Sequence, residues 1–138
     1  MSATRTELAA RLAVYDRLVE VGIGRRPEVA AALADADCTV TATDVFDAPT
    51  PEGVRFVRGD VVARAERVRA GGDPGDPYRV DAVYALNCPA ELQRPARDVA
   101  HAADADFLFT TLGFEDPVLP VERETVGGET LYVAERRR

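Results

Sequence analysis

The chain has 138 residues, 46% hydrophobic and 30% charged, the balance of a folded globular protein rather than a disordered one, and its length predicts one domain over 1–138 with a modest core. Its 17 basic residues are all Arg, against 24 acidic residues and a net charge of −7; with no basic stripe carrying interleaved aromatics, a nucleic-acid module has no support. No apolar run approaches the roughly 20 residues that cross a bilayer, and Met1-Ser2-Ala3-Thr4-Arg5-Thr6-Glu7 lacks the basic-then-apolar order of a signal peptide, so a cytoplasmic protein with no membrane partner is expected.

Abundant acid without Lys fits a source with high internal salt, and a GC-rich genome would also favour Arg. In molar salt the Debye length is only about 3 Å, so self-repulsion would be weak.

Thr4-Arg5-Thr6-Glu7 has the spacing of a capping box, with Thr4 as cap and Glu7 reaching back. Leu8, Leu12 and Tyr15 follow at helical spacing, predicting a leading helix of about ten residues. Arg17 to Gly22 reads as a strand buried on both faces, apart from Glu20. A carboxylate there needs partners: backbone amides, an Arg, or a bound cofactor.

Gly22-Ile23-Gly24 then forms a turn into a helix, with Pro27 suited to its first turn. Val29, Ala32, Leu33 and Ala36 mark the inward face of that helix. Bare amides at its start would favour an anionic group. Cys38 to Thr43 is the second strand and ends at Asp44, 20 residues beyond Gly24. That is the spacing at which an acidic strand tip bonds the ribose of an adenosine ligand. The competing reading makes Asp44 the start of the Asp47-Ala48-Pro49-Thr50-Pro51 turn.

Val54 to Val57 is a short third strand. Asp60 can cap the next helix, with Val61, Ala65 and Val68 inward, or face an adenine amino group; the roles are compatible. After the Gly71–Pro77 loop, Val80 to Leu86 is the fourth strand, ending at Asn87-Cys88-Pro89. Leu92, Ala96, Val99 and Ala103 form a helical stripe that Pro95 should start or kink; His101 falls on this helix in a surface or packing role. Asp106 to Leu112 is the fifth strand. Val121 to Val126 and Glu129 to Ala134, joined by Gly127-Gly128, read as a hairpin. Arg136-Arg137-Arg138 reads as a solvated tail. Cys38 and Cys88 read as free thiols, and one His with no Cys cluster gives no transition-metal site.

Alternating strands and helices imply parallel strands with right-handed crossovers. The expected architecture is α/β: a Rossmann-like three-layer sandwich, mostly parallel, with a C-terminal antiparallel hairpin. Such a hairpin marks class I methyltransferase architecture, and the chain resembles S-adenosylmethionine (SAM)-dependent methyltransferases. More specifically, it resembles the uncharacterised protein family 0146 of archaea through Val19-Glu20-Val21-Gly22-Ile23-Gly24, Thr43-Asp44, Asp60, Pro89-Ala90-Glu91-Leu92-Gln93 and Leu112-Gly113. The resemblance implies SAM as cofactor, with the turn of Gly22 and Gly24 at its methionine end, Asp44 on the ribose, Asp60 on the adenine side, and Glu20 in polar contact with it directly or through the loop. Asn87 and Cys88, at the end of the fourth strand, would face the transferring methyl; for Asn87 a plain turn role competes. Methyl transfer from a sulfonium needs mainly alignment, so no acid–base pair is required. The pattern also departs from the methyltransferases: Arg26 replaces a small residue, and Asn87-Cys88-Pro89-Ala90 lacks an aromatic platform. Substrate-recognition insertions are absent. A non-enzymatic SAM sensor or subunit is therefore a second reading, in which a partner or second copy supplies the other wall of the site. A third is an NAD(P)-type ligand, with Arg25 and Arg26 on its phosphates, against which Pro27 stands in place of the third glycine.

Overall fold

The computed structural model describes residues 2–113 and 115–136. Its centre is a seven-stranded sheet ordered β3-β2-β1-β4-β5-β7-β6. The strands are β1 (Arg17–Val21), β2 (Thr39–Asp44), β3 (Val54–Arg58), β4 (Ala82–Ala85), β5 (Asp106–Phe109), β6 (Val121–Val126) and β7 (Glu129–Ala134). β1 to β5 pair parallel, and the β6–β7 hairpin joins β5 antiparallel through β7. The expected Rossmann-like sandwich and terminal hairpin are present.

Alternation along β1 sorts the two faces. Leu18 packs with Leu8 and Leu12 of α1 (Ala3–Leu12) and Val29 and Leu33 of α2 (Glu28–Asp35). Val19 and Val21 point the other way, to Val61 and Ala65 of α3 (Val61–Arg69) and Ala96 and Val99 of α4 (Ala90–Ala102). In that second cluster Phe107, Phe109 and Tyr132 stack with ring centroids 5.1 and 5.3 Å apart, joining the parallel sheet to the hairpin. A sheet covered on both faces explains why its inner strands read as nearly unbroken apolar runs. Chain order reverses between β1 and β4, so their carboxyl ends bound the crevice where sheets of this kind take ligands.

Several local expectations change. Ser2, not Thr4, caps α1, its hydroxyl accepting from the Arg5 amide at 3.3 Å. Thr4 instead donates to the Gly127 carbonyl at 2.7 Å, tying α1 to the hairpin turn. Pro27 is the cap residue of α2 rather than part of its first turn; Ala30 joins Val29 and Leu33 inside, Ala32 packs half-buried against that cluster, and Ala36 is exposed. β4 and β5 are shorter than expected: Asn87 turns the chain with φ +52° after β4, and β5 stops where β7 ceases to pair with it. α4 begins at Ala90 and runs through Pro95. Arg136 is no free tail, for it bonds Asp104 and Asp106; Arg137 and Arg138 lie outside the described residues. Among the described residues, no helix is long and apolar enough to cross a membrane.

Candidate functional site

Gly22 and Gly24 take φ of +75° and +53°, the left-handed region that costs a side chain but not glycine. This folds the chain back over the end of β2. The Gly22 and Ile23 amides both donate to the Thr43 carbonyl, at 2.9 and 3.1 Å. The Gly24 amide donates to the Asp44 carboxylate at 2.8 Å. Asp44 also accepts from the Phe46 amide at 3.3 Å, the Asx turn open to a loop aspartate. Sequence spacing thus brings Asp44 to the turn. The expectation of bare amides fails for residues 22, 23 and 24, because the neighbouring strand tip satisfies them. At α2 itself, Pro27 offers no side-chain cap.

Four spaces follow the carboxyl edge of the sheet. The largest, about 370 Å³, lies beside the turn and is lined by Gly24, Arg25, Asp44, Phe46, Asp47 and Pro49 among others. A pocket of about 50 Å³ between the ends of β2 and β3 is lined by Thr43, Asp60 and Tyr78. There Asp60 caps α3, accepting from the Val62 amide at 2.9 Å. A third, about 70 Å³, sits at the β1–β4 switch and is lined by Arg5, Arg26, Glu28, Asn87 and Thr110. A fourth, about 320 Å³, lies beyond the end of β5 and the start of β7, lined by Thr111, Gly128 and Thr130 among others.

Glu20 lies on the α1–α2 face, only 1% exposed. Its carboxylate accepts from the Tyr84 hydroxyl at 2.7 Å, in place of the amides, Arg or bound cofactor expected; sealed there, it is not open to direct contact with a ligand. Burial pushes its acid up to about 7, while Tyr84 and Arg5 oppose the rise and Glu28 adds to it. Glu28 stands 2.8 Å from Arg5 as an ion pair over the same face.

Asn87 lines the switch-point pocket, its amide fixed by the Thr110 hydroxyl at 2.8 Å. Cys88 parts from it. The thiol is buried in the α3–α4 core, and burial lifts it to about 12. It is a neutral packing group rather than a group facing a methyl. The sequence reading missed Tyr84, Tyr78 and Thr110; each meets its partner through a strand neighbour or a returning loop, so no local spacing announces it.

A family model described as "Uncharacterised protein family (UPF0146)" matches residues 3–137. The chain belongs to this family. A UPF0146 protein of Halobacterium salinarum is 52% identical over 128 residues, covering 92% of this chain and 93% of the relative. Another UPF0146 protein, from Archaeoglobus fulgidus, is 35% identical over 96 residues, covering 70% and 68%. Among solved structures, a SAM-dependent methyltransferase of Agrobacterium tumefaciens superposes with TM-score 0.54 at 13% identity over 94% of this chain. A didemethyltoxoflavin N1-methyltransferase of Burkholderia thailandensis, with its substrate and S-adenosylhomocysteine bound, gives 0.51 at 22% identity over 95%. The UPF0146 chain spans 59% of the length of each of these enzymes, and at such identities the likeness is one of fold.

Proposed function

We propose that this UPF0146 protein binds SAM or a related adenosine ligand along the carboxyl edge of its sheet. The observation that carries the reading is Asp44: its carboxylate, pinned by the Gly24 amide at 2.8 Å, lines the open cleft beside the turn. A carboxylate has about four acceptor sites, and the two bonds to Gly24 and Phe46 leave capacity for the paired hydroxyls of a ribose. Asp60 then serves the adenine side from the rim, since the pocket of about 50 Å³ beside Tyr78 is too small to take the base itself, and the turn of Gly22 and Gly24 serves the methionine side. The fold shared with enzymes whose structures hold S-adenosylhomocysteine supports the same ligand class. The free thiols of Cys38 and Cys88 suit a reducing cytoplasm.

When bound, SAM supplies an electrophilic methyl on sulfur, and transfer to an acceptor leaves S-adenosylhomocysteine. For that reaction Asn87, whose backbone N–H donates to the Thr110 hydroxyl and which lines the switch-point pocket, is the candidate to face the methyl. One observation favours the non-enzymatic sensor or subunit reading: the space beside Asn87 is about 70 Å³, far below the roughly 300–1,000 Å³ of an organic ligand pocket. Methyl transfer therefore requires a second copy or a partner subunit to complete the acceptor wall, and light scattering on the purified protein tests for one.

Calorimetry with SAM, S-adenosylhomocysteine, NAD and ATP in high salt tests the ligand class. Binding confined to the first two supports the proposal. Equal or tighter binding of NAD or ATP refutes it in favour of a phosphate-bearing ligand, and binding of none refutes an adenosyl site.

A further inference from the structure

At the opposite end of the sheet, the last turns of α3 and α4 and the segment after β7 enclose a cleft of about 440 Å³. Guanidiniums from three elements line it: Arg69 of α3, Arg97 of α4 and Arg136 after β7. In a chain of net charge −7, that convergence is not what composition predicts.

The carboxylates present match these charges in number but leave guanidinium donors unused. Asp98 is shared: one oxygen accepts from Nε and Nη2 of Arg97 at 3.0 and 2.9 Å. Its other oxygen accepts from Nε of Arg69 at 2.8 Å. One carboxylate thus orients two guanidiniums, each with donors to spare among its five N–H groups. Arg97 is held with its side chain only 8% exposed, a costly place for a charge that meets half a carboxylate. The other lining carboxylate, Asp104, is fully exposed and shares Arg136 with Asp106. Three Arg meet three Asp, so the cleft is balanced in charge, and what it holds out to a ligand is unused guanidinium N–H groups. His101 follows Arg97 by one helical turn on the same face, and its Nε2 is buried without a hydrogen-bond partner. That nitrogen is shut off from the cleft, but the spare guanidinium donors of Arg69 and Arg97 call for an acceptor.

We propose that this cleft is a second ligand site, distinct from the adenosyl cleft, which takes a phosphate-type oxyanion among Arg69, Arg97 and Arg136, next to the imidazole of His101. Guanidinium forks suit the oxygens of such an anion. Asp98 keeps the two nearest forks aimed. The surroundings of His101 agree: burial first, then Arg136 and Arg97, hold its proton affinity below the ordinary value, with Asp98 and Asp106 opposing. A bound anion would reverse that direction.

The chain has a single His, so its imidazole C–H signals in an NMR spectrum need no assignment. Inorganic phosphate titrated at constant ionic strength should shift them saturably, with a Kd of about 1 mM or tighter, and should raise the pH midpoint of His101. Arg69→Ala should weaken phosphate at least tenfold while leaving S-adenosylhomocysteine binding unchanged. Arg136→Gln is the second probe should Arg69→Ala fail to fold. Adenosine monophosphate run alongside distinguishes a phosphate monoester, which would bind more tightly, from free phosphate. A linear, unsaturated shift of the imidazole, or equal phosphate affinity in the folded variant, would overturn the proposal.

Discussion

Replacing Glu20 with Gln isolates the energetic consequence of a carboxyl group sealed into the middle of the sheet. Glu20 is 1% exposed, and burial raises its acid from the ordinary 4.5 to about 7. Below about 4.5, folded and unfolded chains are both protonated and Glu20 imposes no ionic penalty. Between 4.5 and 7 the folded chain retains a proton that the unfolded chain has lost, so stability falls as pH rises. Above about 7 the penalty is complete, about 3 kcal/mol at about 1.4 kcal/mol per pH unit. Gln keeps an oxygen for the Tyr84 hydroxyl and cannot ionise. Glu20→Gln should therefore match the parent within about 1 kcal/mol near pH 4.5 and exceed it by about 3 kcal/mol at pH 8.5. Urea unfolding at fixed salt, extrapolated to zero denaturant, reads both values. The difference between the two proteins cancels every other titrating group. An equal difference at both pH values would show that Glu20 ionises without penalty and that the burial argument is wrong.

Three further outcomes follow from named contacts. Cys88, with its thiol near 12 and buried, should resist a thiol reagent at pH 8 until the chain unfolds, whereas half-buried Cys38 reacts first; rapid native labelling of Cys88, read by mass spectrometry, would contradict its packing role. Asp60→Ala removes the cap on Val62 and should lower unfolding free energy by about 1 kcal/mol, with no loss if the cap is solvent-replaced. Gln93→Ala should strand the Val118 amide that Gln93 accepts at 2.7 Å, costing about 1–3 kcal/mol and speeding hydrogen exchange at that amide; unchanged exchange would mean that α4 does not anchor this loop.

What the sequence revealed and what it hid divide along sequence distance. The hairpin was legible to the residue, since Gly127-Gly128 supplies both left-handed positions of its turn. Gly22, Gly24 and Asp44 were legible as a group because the strand–turn–helix–strand unit that joins them is local. The Thr4 cap was misread for the opposite reason: its hydroxyl meets Gly127, 123 residues away, and Ser2 takes the cap instead. Tyr84 answers Glu20 only through the β1–β4 pairing, 64 residues apart. Burial of Cys88 and the convergence of Arg69, Arg97 and Arg136 likewise exist only once α3 and α4 pack together.

The most direct measurement is calorimetric titration of S-adenosylhomocysteine into the parent chain, Asp44→Ala and Asp44→Asn. Asn keeps an acceptor for the Gly24 amide while losing the charge, so it separates turn geometry from ribose binding. The account predicts saturable binding to the parent, weakened in both variants by about 5- to 150-fold, the equivalent of about 1–3 kcal/mol for a charged hydrogen bond. Unchanged affinity in two folded variants, or no binding to the parent, would contradict it.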